Sequence, residues 1–332
     1  MLTLDSGNLF AIAFTDTNGN YSAAVTPNFW KIKPLKERLA RHAYVASQNT
    51  LQADTTTNSV TNANLALFKG NALFYGRITD DSNAPFANIQ FDANDGTNNQ
   101  FSAKGFSDAN GNYAVAVLGT NSDWNCNANG GNPALNNYIL NNFNNTNILV
   151  GQAILQNFVA LPVTARISGR VRDNLGNPVT GVDLYASALI SGNFYQSLNG
   201  QTDNSGNYSL GVISGAWQVN FSFGGESGLD NQGLVDYFAP HNVTLPPTNA
   251  VLNLTVYQNG TPVMSQPQHI SSTQFGFNIN GSVGVNYTVQ VSTNLAGTNW
   301  ANLFSLQLTN SSFPIVDTHA TTSPRFYRVQ KN

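Results

Sequence analysis

Alternation with a period of two dominates this chain. Trp217, Val219, Phe221 and Phe223 are apolar, and Gln218, Asn220 and Ser222 between them are polar. That run predicts a β-strand with one face in a core. Large apolar side chains gathered on one face are buried at a gain of ~1.5–3 kcal/mol each. Tyr208, Leu210 and Val212 predict a second strand, and Val182, Leu184 and Ala186 a third. Ile167, Gly169 and Val171 predict a fourth, with Ser168, Arg170 and Arg172 on its other face.

The same succession occurs earlier in the chain. Gly76-Arg77-Ile78-Thr79-Asp80 matches Gly169-Arg170-Val171-Arg172-Asp173 at an offset of 93 (169 − 76). Pro85 matches Pro178, and Ile89-Gln90-Phe91 matches Val182-Asp183-Leu184, at that same offset. A turn motif marks three copies: Asp16-Thr17-Asn18-Gly19-Asn20-Tyr21, Asp108-Ala109-Asn110-Gly111-Asn112-Tyr113 and Asp203-Asn204-Ser205-Gly206-Asn207-Tyr208. The tyrosines lie 92 and 95 positions apart (113 − 21, 208 − 113). A period of that size is a small domain, so the chain reads as a tandem array. Asn-Gly or Ser-Gly between alternating runs predicts a hairpin at each motif, followed by an inward tyrosine.

A tryptophan strand follows each motif, carrying Trp30, Trp124 or Trp217. Cys126 stands two positions after Trp124, where Ile32 and Val219 stand in the other copies, so it reads as an inert core thiol. Tyr44 and Tyr138 each lie 14 past their tryptophan (44 − 30, 138 − 124), and Tyr237 lies 20 past Trp217. Pro34 to Arg41 is the best helix candidate, with Pro at the first turn and Leu35 and Leu39 on one face.

The predicted fold is all-β: tandem antiparallel sandwiches, with copies at 1–70, 71–164 and 165–257. The first copy is incomplete. Gly7-Asn8-Leu9-Phe10 resembles Gly192-Asn193-Phe194-Tyr195, which places Met1 near the second strand and leaves the Gly-Arg strand missing. A fragment of a longer product is the expectation, with strand addition from a neighbouring molecule as the alternative. Residues 258–273, rich in Gln, Pro, Ser and Gly, read as a linker, and 274–332 as a smaller sandwich.

The sequence from Gly169-Arg170-Val171 through Gly176-Asn177-Pro178-Val179 to Thr202-Asp203-Asn204-Ser205-Gly206-Asn207-Tyr208 resembles the carboxypeptidase regulatory-like domain. That resemblance implies a seven-stranded antiparallel sandwich of the transthyretin type, grouped with carbohydrate-binding-like folds. It implies no peptidase, since the domain is accessory. Tyr287-Thr288-Val289-Gln290-Val291, Trp300, Asp317-Thr318 and Arg325-Phe326-Tyr327-Arg328-Val329 resemble an end module of large secreted proteins of environmental bacteria.

Composition sharpens the functional reading by exclusion. Charged residues make up 9% of the 332 and the formal net charge is −3, so no overall basic field attracts nucleic acid or anionic lipid. No apolar stretch is long enough to span a membrane. The four histidines, His42, His241, His269 and His319, are scattered without metal-ligand spacing. Only Glu37 and Glu226 are glutamates, and they fall in different copies, so a carboxylate pair for hydrolysis is not expected. The Asp-x-Asn-Gly-Asn motif alternates oxygens as a calcium loop does, yet its Gly is at position four and no Glu follows at twelve. A Lys–Asn crosslink at Lys104 has little support, since no Glu stands near it in sequence. The basic run Lys31, Lys33, Lys36, Arg38 and Arg41 reads as a solvated face.

No catalytic residue, metal or cofactor is expected. The expected role is a structural or adhesive segment of a secreted or cell-surface bacterial protein that spaces or presents other domains. A carbohydrate-binding module is the alternative, through outward Tyr75, Tyr185 and Tyr195, and a strand-complemented fibre subunit is a third. Expected partners are accordingly polysaccharide, other surface proteins, or a second copy through the incomplete first repeat.

Overall fold

The computed structural model describes residues 1–97, 99–119, 123–246, 248–297, 299–320 and 324–332. The chain forms two compact units. One is Met1–Thr164 with Ser187–Leu198 and Gly211–Ile213, and the other is Ala165–Ala186, Asn199–Leu210 and Ser214–Asn332.

In the first unit, Phe10–Ala13, Leu2–Asp5, Phe29–Pro34 and Leu51–Asp54 form a four-stranded sheet in that order. Alternation puts Leu2, Leu4, Trp30 and Ile32 on its buried face with Ala13 and Ala53. The same order recurs in Phe101–Phe106, Gln90–Asp95, Asp123–Ala128 and Thr146–Asn147. It occurs a third time in Asn193–Gln196, Asp183–Ile190, Gly215–Phe221 and His241–Leu245. Trp30, Trp124 and Trp217 therefore occupy one position in three like sheets, each buried. Cys126 is fully buried beside Trp124 in the second core.

Facing the second of these sheets is a sheet of Asn112–Val117, Ala72–Asp80 and Phe158–Pro162. Facing the third is one of Asn207–Val212, Ala165–Asp173, Leu254–Gln258 and Leu234–Val235. The expectation of purely antiparallel sandwiches needs correction here. Phe158–Pro162 runs parallel to Ala72–Asp80, and Leu254–Gln258 runs parallel to Ala165–Asp173. The closing strand reaches its place only after the chain has crossed the opposite sheet, and so long a crossover permits the parallel direction.

Four further expectations are corrected. The turn motifs are not hairpins between paired strands. Phe101–Phe106 and Asn112–Val117, on either side of the Asp108 turn, lie in opposite sheets, so the turn is a corner between layers. The predicted linker is largely strand: Val263–Ser271 pairs with Gln274–Asn280 across two register shifts. Gln266, at φ 52, sits in the first of them, and such bulges break the period-two signal. Phe223, expected inward, is 64% exposed, because the strand ends at Phe221 and Gly224 and Gly225 both turn away at positive φ. The helix is also shorter than its pattern, spanning Lys36–Leu39 before a 3₁₀ turn at Ala40–His42.

The C-terminal residues build two three-stranded sheets around Phe277, Ile279, Tyr287, Val289, Leu308 and Ile315.

Candidate functional site

The repeated Asp turns share one geometry. At Asp108, the Asn110 and Asn112 N–H groups donate to Oδ1 at 2.9 and 2.8 Å, and Asn112 Nδ2 donates to Oδ2 at 3.2 Å. Asp16 and Asp203 hold the matching residues in the same way. Gly19, Gly111 and Gly206 supply the positive φ the turn requires. The same geometry recurs at two further turns. Asp173 clasps Leu175 and Asn177, and Asp80 clasps Ser82 and Ala84 with Asn83 at φ 67 in the glycine's place.

These bonds hold the carboxyls of Asp16 and Asp108 below their ordinary value, chiefly through the Asn20 and Asn112 N–H groups. For Asp173 and Asp203 the largest cause is the side-chain amide of Asn177 or Asn207. A depressed carboxyl contributes stability above its unfolded pKa and loses it as pH falls through the folded value. An Asp108→Asn, Asp203→Asn double variant keeps one acceptor oxygen per side chain for the two N–H groups, gives up the second, and does not titrate. Its melting temperature is expected to fall less than the parent's between about pH 5 and about pH 2. An equal fall in both proteins would refute the clasp as an acid-sensitive element.

The motif tyrosines do a second job. Tyr113 donates its hydroxyl to the Gln156 carbonyl at 2.8 Å, Tyr208 to Leu252 at 2.7 Å, and Tyr21 to Ala63. Gln156 and Leu252 sit where each closing segment presses on the opening strand. A Cβ on Gly76 would lie 2.0 Å from the Gln156 oxygen, and one on Gly169 would lie 1.8 Å from that of Leu252. Gly76 and Gly169 therefore permit a backbone approach no other residue allows. The following residues complete the seam: Arg77 N–H donates to Asn157 Oδ1 at 3.1 Å and Arg170 N–H to Asn253 Oδ1 at 3.0 Å.

The tyrosines expected to form a glycan-stacking face are not equivalent. Tyr75 is exposed at 40%, Tyr185 is half-buried, and Tyr195 is buried at 6%. The last is a correction: Tyr195 is enclosed, in a strand whose ladder continues through Asn141 of Tyr138–Asn141.

A polar cluster that the sequence reading missed surrounds Lys104. Its Nζ lies 2.9 Å from Glu37 and 3.4 Å from Asp92. Asn129 and Gln90 also donate to Asp92, at 2.7 and 3.0 Å. Burial works against the charge, yet Glu37 and Asp92 together hold the Lys104 ammonium above its usual value. Lys104 thus stands in an ion pair with Glu37 and Asp92. Nearby Lys36 is lowered by burial and by the charges of Lys104 and Lys33. Arg38 and Arg41 line an open cleft of about 890 Å³ with Asn88, Phe106, Asp108 and Asn112.

Among the described residues no group of three or more His, Cys, Asp or Glu is placed to hold a metal. Burial pushes the Cys126 thiol far up, away from a reactive thiolate. His241 bonds Asp236 at 2.8 Å on the edge strand.

No known family matches this chain. No curated protein matches it either. Solved structures show distant likeness. A streptococcal ancillary pilin is 10% identical, with 71% of this chain and 76% of that one covered and a TM-score of 0.24. The Bacillus anthracis TIE protein is 7% identical, covering 99% of this chain and 62% of its own, at a TM-score of 0.24. A DUF3823 family protein from Parabacteroides merdae is 15% identical over 50% of this chain and 89% of that one, also at 0.24. Likeness at that level transfers neither a detailed architecture nor a role.

Proposed function

We infer that the chain is a non-catalytic structural segment of a secreted or cell-surface bacterial protein, built of sandwiches that space or present other domains. The observation that supports this is how one sandwich passes to the next. Strand Tyr44–Ser47, after the Trp30 sheet, pairs with Phe101–Phe106 in the Trp124 sheet through Ala46↔Ser102 and Ser47↔Phe101. Strand Tyr138–Asn141 pairs in the same manner with Asn193–Gln196, through Leu140↔Gln196 and Asn141↔Tyr195. The Glu37–Lys104 ion pair reinforces the first of these joints. The joint between the Trp30 and Trp124 sheets is thus a backbone ladder, where a Gly- or Ser-rich tether would leave neighbours independent. The clasps and tyrosine seams are internal fasteners, consistent with a load-carrying array and with the regulatory-like resemblance.

Ala46→Pro removes a ladder residue at the first joint without entering the Trp124 core. The parent is expected to melt its Trp30 and Trp124 cores in one calorimetric transition and the variant in two. A parent that already melts in two steps overturns the reading. Retention of the parent on an insoluble polysaccharide column favours the glycan-binding alternative, which the burial of Tyr195 disfavours.

A further inference from the structure

The Trp124 and Trp217 sandwiches each seat an opening strand, Ala72–Asp80 or Ala165–Asp173, against a fixed set of contacts. The strand's Gly faces a carbonyl held by the motif tyrosine, and the next N–H donates to the Asn after that carbonyl. The Arg side chain donates to the turn, through Nε to Asn110 O at 2.8 Å or to Asn207 Oδ1 at 2.9 Å. The residue after Arg, Ile78 or Val171, donates its N–H to Gly111 or Gly206. Its own carbonyl lies against that turn glycine, 2.4 Å from where a Cβ would stand.

The Trp30 sheet carries the receiving half of this set and, among the described residues, no strand that uses it. Tyr21 holds the Ala63 carbonyl, and Asn64 follows it as Asn157 follows Gln156 and Asn253 follows Leu252. Asn64 is exposed, and its side-chain oxygen has no partner among the described residues. Gly19 has open space around it within 4 Å, where Gly111 and Gly206 are covered. Tyr21, Ala23 and Val25 are half-buried against the core while Ser22 and Ala24 are exposed. That is strand alternation, yet residues 22–25 belong to no ladder. Unpaired, strand-like backbone flanking an apolar core is a template for β-addition.

We propose that this slot binds an extended peptide segment, lying outside these 332 residues, of the form apolar-x-Gly-Arg-apolar-x-Asp. Its glycine meets the Ala63 carbonyl, the next N–H donates to Asn64 Oδ1, and its arginine reaches Asn18 or Asn20. The residue after the arginine seals Gly19. A second copy of this chain is a poor donor. Phe74, Ile78, Ile167 and Val171, the apolar residues of its two matching strands, are fully buried in their own sandwiches, so donation would unfold a core. The proposal stands on the Trp30 sandwich alone and is independent of the spacer role.

The test adds a synthetic peptide with the sequence of Ala165–Asp173 to the full chain and follows binding by calorimetry and backbone hydrogen exchange. Saturable binding is expected, with new protection at Ser22–Val25 and around Leu65. A peptide carrying Gly169→Val is expected not to bind, and Asn64→Ala in the chain is expected to weaken the parent peptide about tenfold. Absence of binding in large peptide excess overturns the proposal. So does equal binding of the Gly169→Val peptide, or protection confined to other segments. Concentration-dependent dimers that protect Ser22–Val25 without peptide would make a second copy the occupant and overturn the one assigned here.

Discussion

Gly76→Ala is expected to unfold the sandwich around Trp124. The added methyl would lie 2.0 Å from the Gln156 oxygen and 2.7 Å from its carbonyl carbon, both main-chain atoms. Neither can swing aside as a side chain would. Gln156 O is also the acceptor of Tyr113, and the residues on either side of Gln156-Asn157 form the parallel pairs that close the sheet. Relief of the clash must therefore peel away the closing strand, expose Phe158 and break the tyrosine seam. The expected loss exceeds about 4 kcal/mol, the range reserved for backbone collisions and core disruption. Urea denaturation followed by tryptophan fluorescence and far-ultraviolet circular dichroism measures it. Gly19→Ala is the internal comparison: it departs from a positive φ of 85°, but no atom lies within 4 Å. It should cost only the backbone strain, ~1–3 kcal/mol. Equal losses in the two variants would show that the close approach at Gly76 is not what the strand needs.

Much of this was legible in the chain because short-range rules and long-range needs agree along the repeats. The Gly-Arg pair, the Asp clasps and the tryptophan strands are spelled by residue types with few physical alternatives, so a fixed offset finds them. The seam itself was hidden. Tyr113 and Gln156 are far apart in sequence, and the glycine signals close approach without naming what approaches. Lys104 and Glu37 meet only because one sandwich docks strand to strand on the next, and no local pattern announces that pairing. Tyr195 misled because alternation assigns faces within a strand and does not say which of them the fold encloses. At Val263–Ser271, Pro267 and the bulge at Gln266 mimic linker chemistry inside a real ladder.

Asp317→Ala is expected to be the most damaging single polar change among the C-terminal residues. The Asp317 side chain is fully buried and ion-paired with Arg325 at 2.9 Å. It also accepts the Tyr327 hydroxyl at 2.9 Å and the His319 N–H at 2.9 Å. Removing the carboxylate leaves a guanidinium largely enclosed and two donors without their acceptor, a loss of about 3–5 kcal/mol. The core of Phe277, Ile279, Tyr287 and Val289 packs on the same sheets, so that part of the chain should melt first. Tyr327 supplies an independent readout. Burial first, and then its bond to Asp317, push its phenol up to about 12. A raised folded pKa contributes stability that is whole below the ordinary tyrosine value near 10 and is lost as pH climbs toward the folded value. In Asp317→Ala the bond and the neighbouring negative charge both disappear, so the Tyr327 ionisation should move down in an alkaline absorbance titration. Tyr113 and Tyr208, raised by burial in other cores, should not move. A variant that keeps both its stability and its tyrosine titration would show that Arg325 and Tyr327 find other partners, and that the buried aspartate does not organise this sheet.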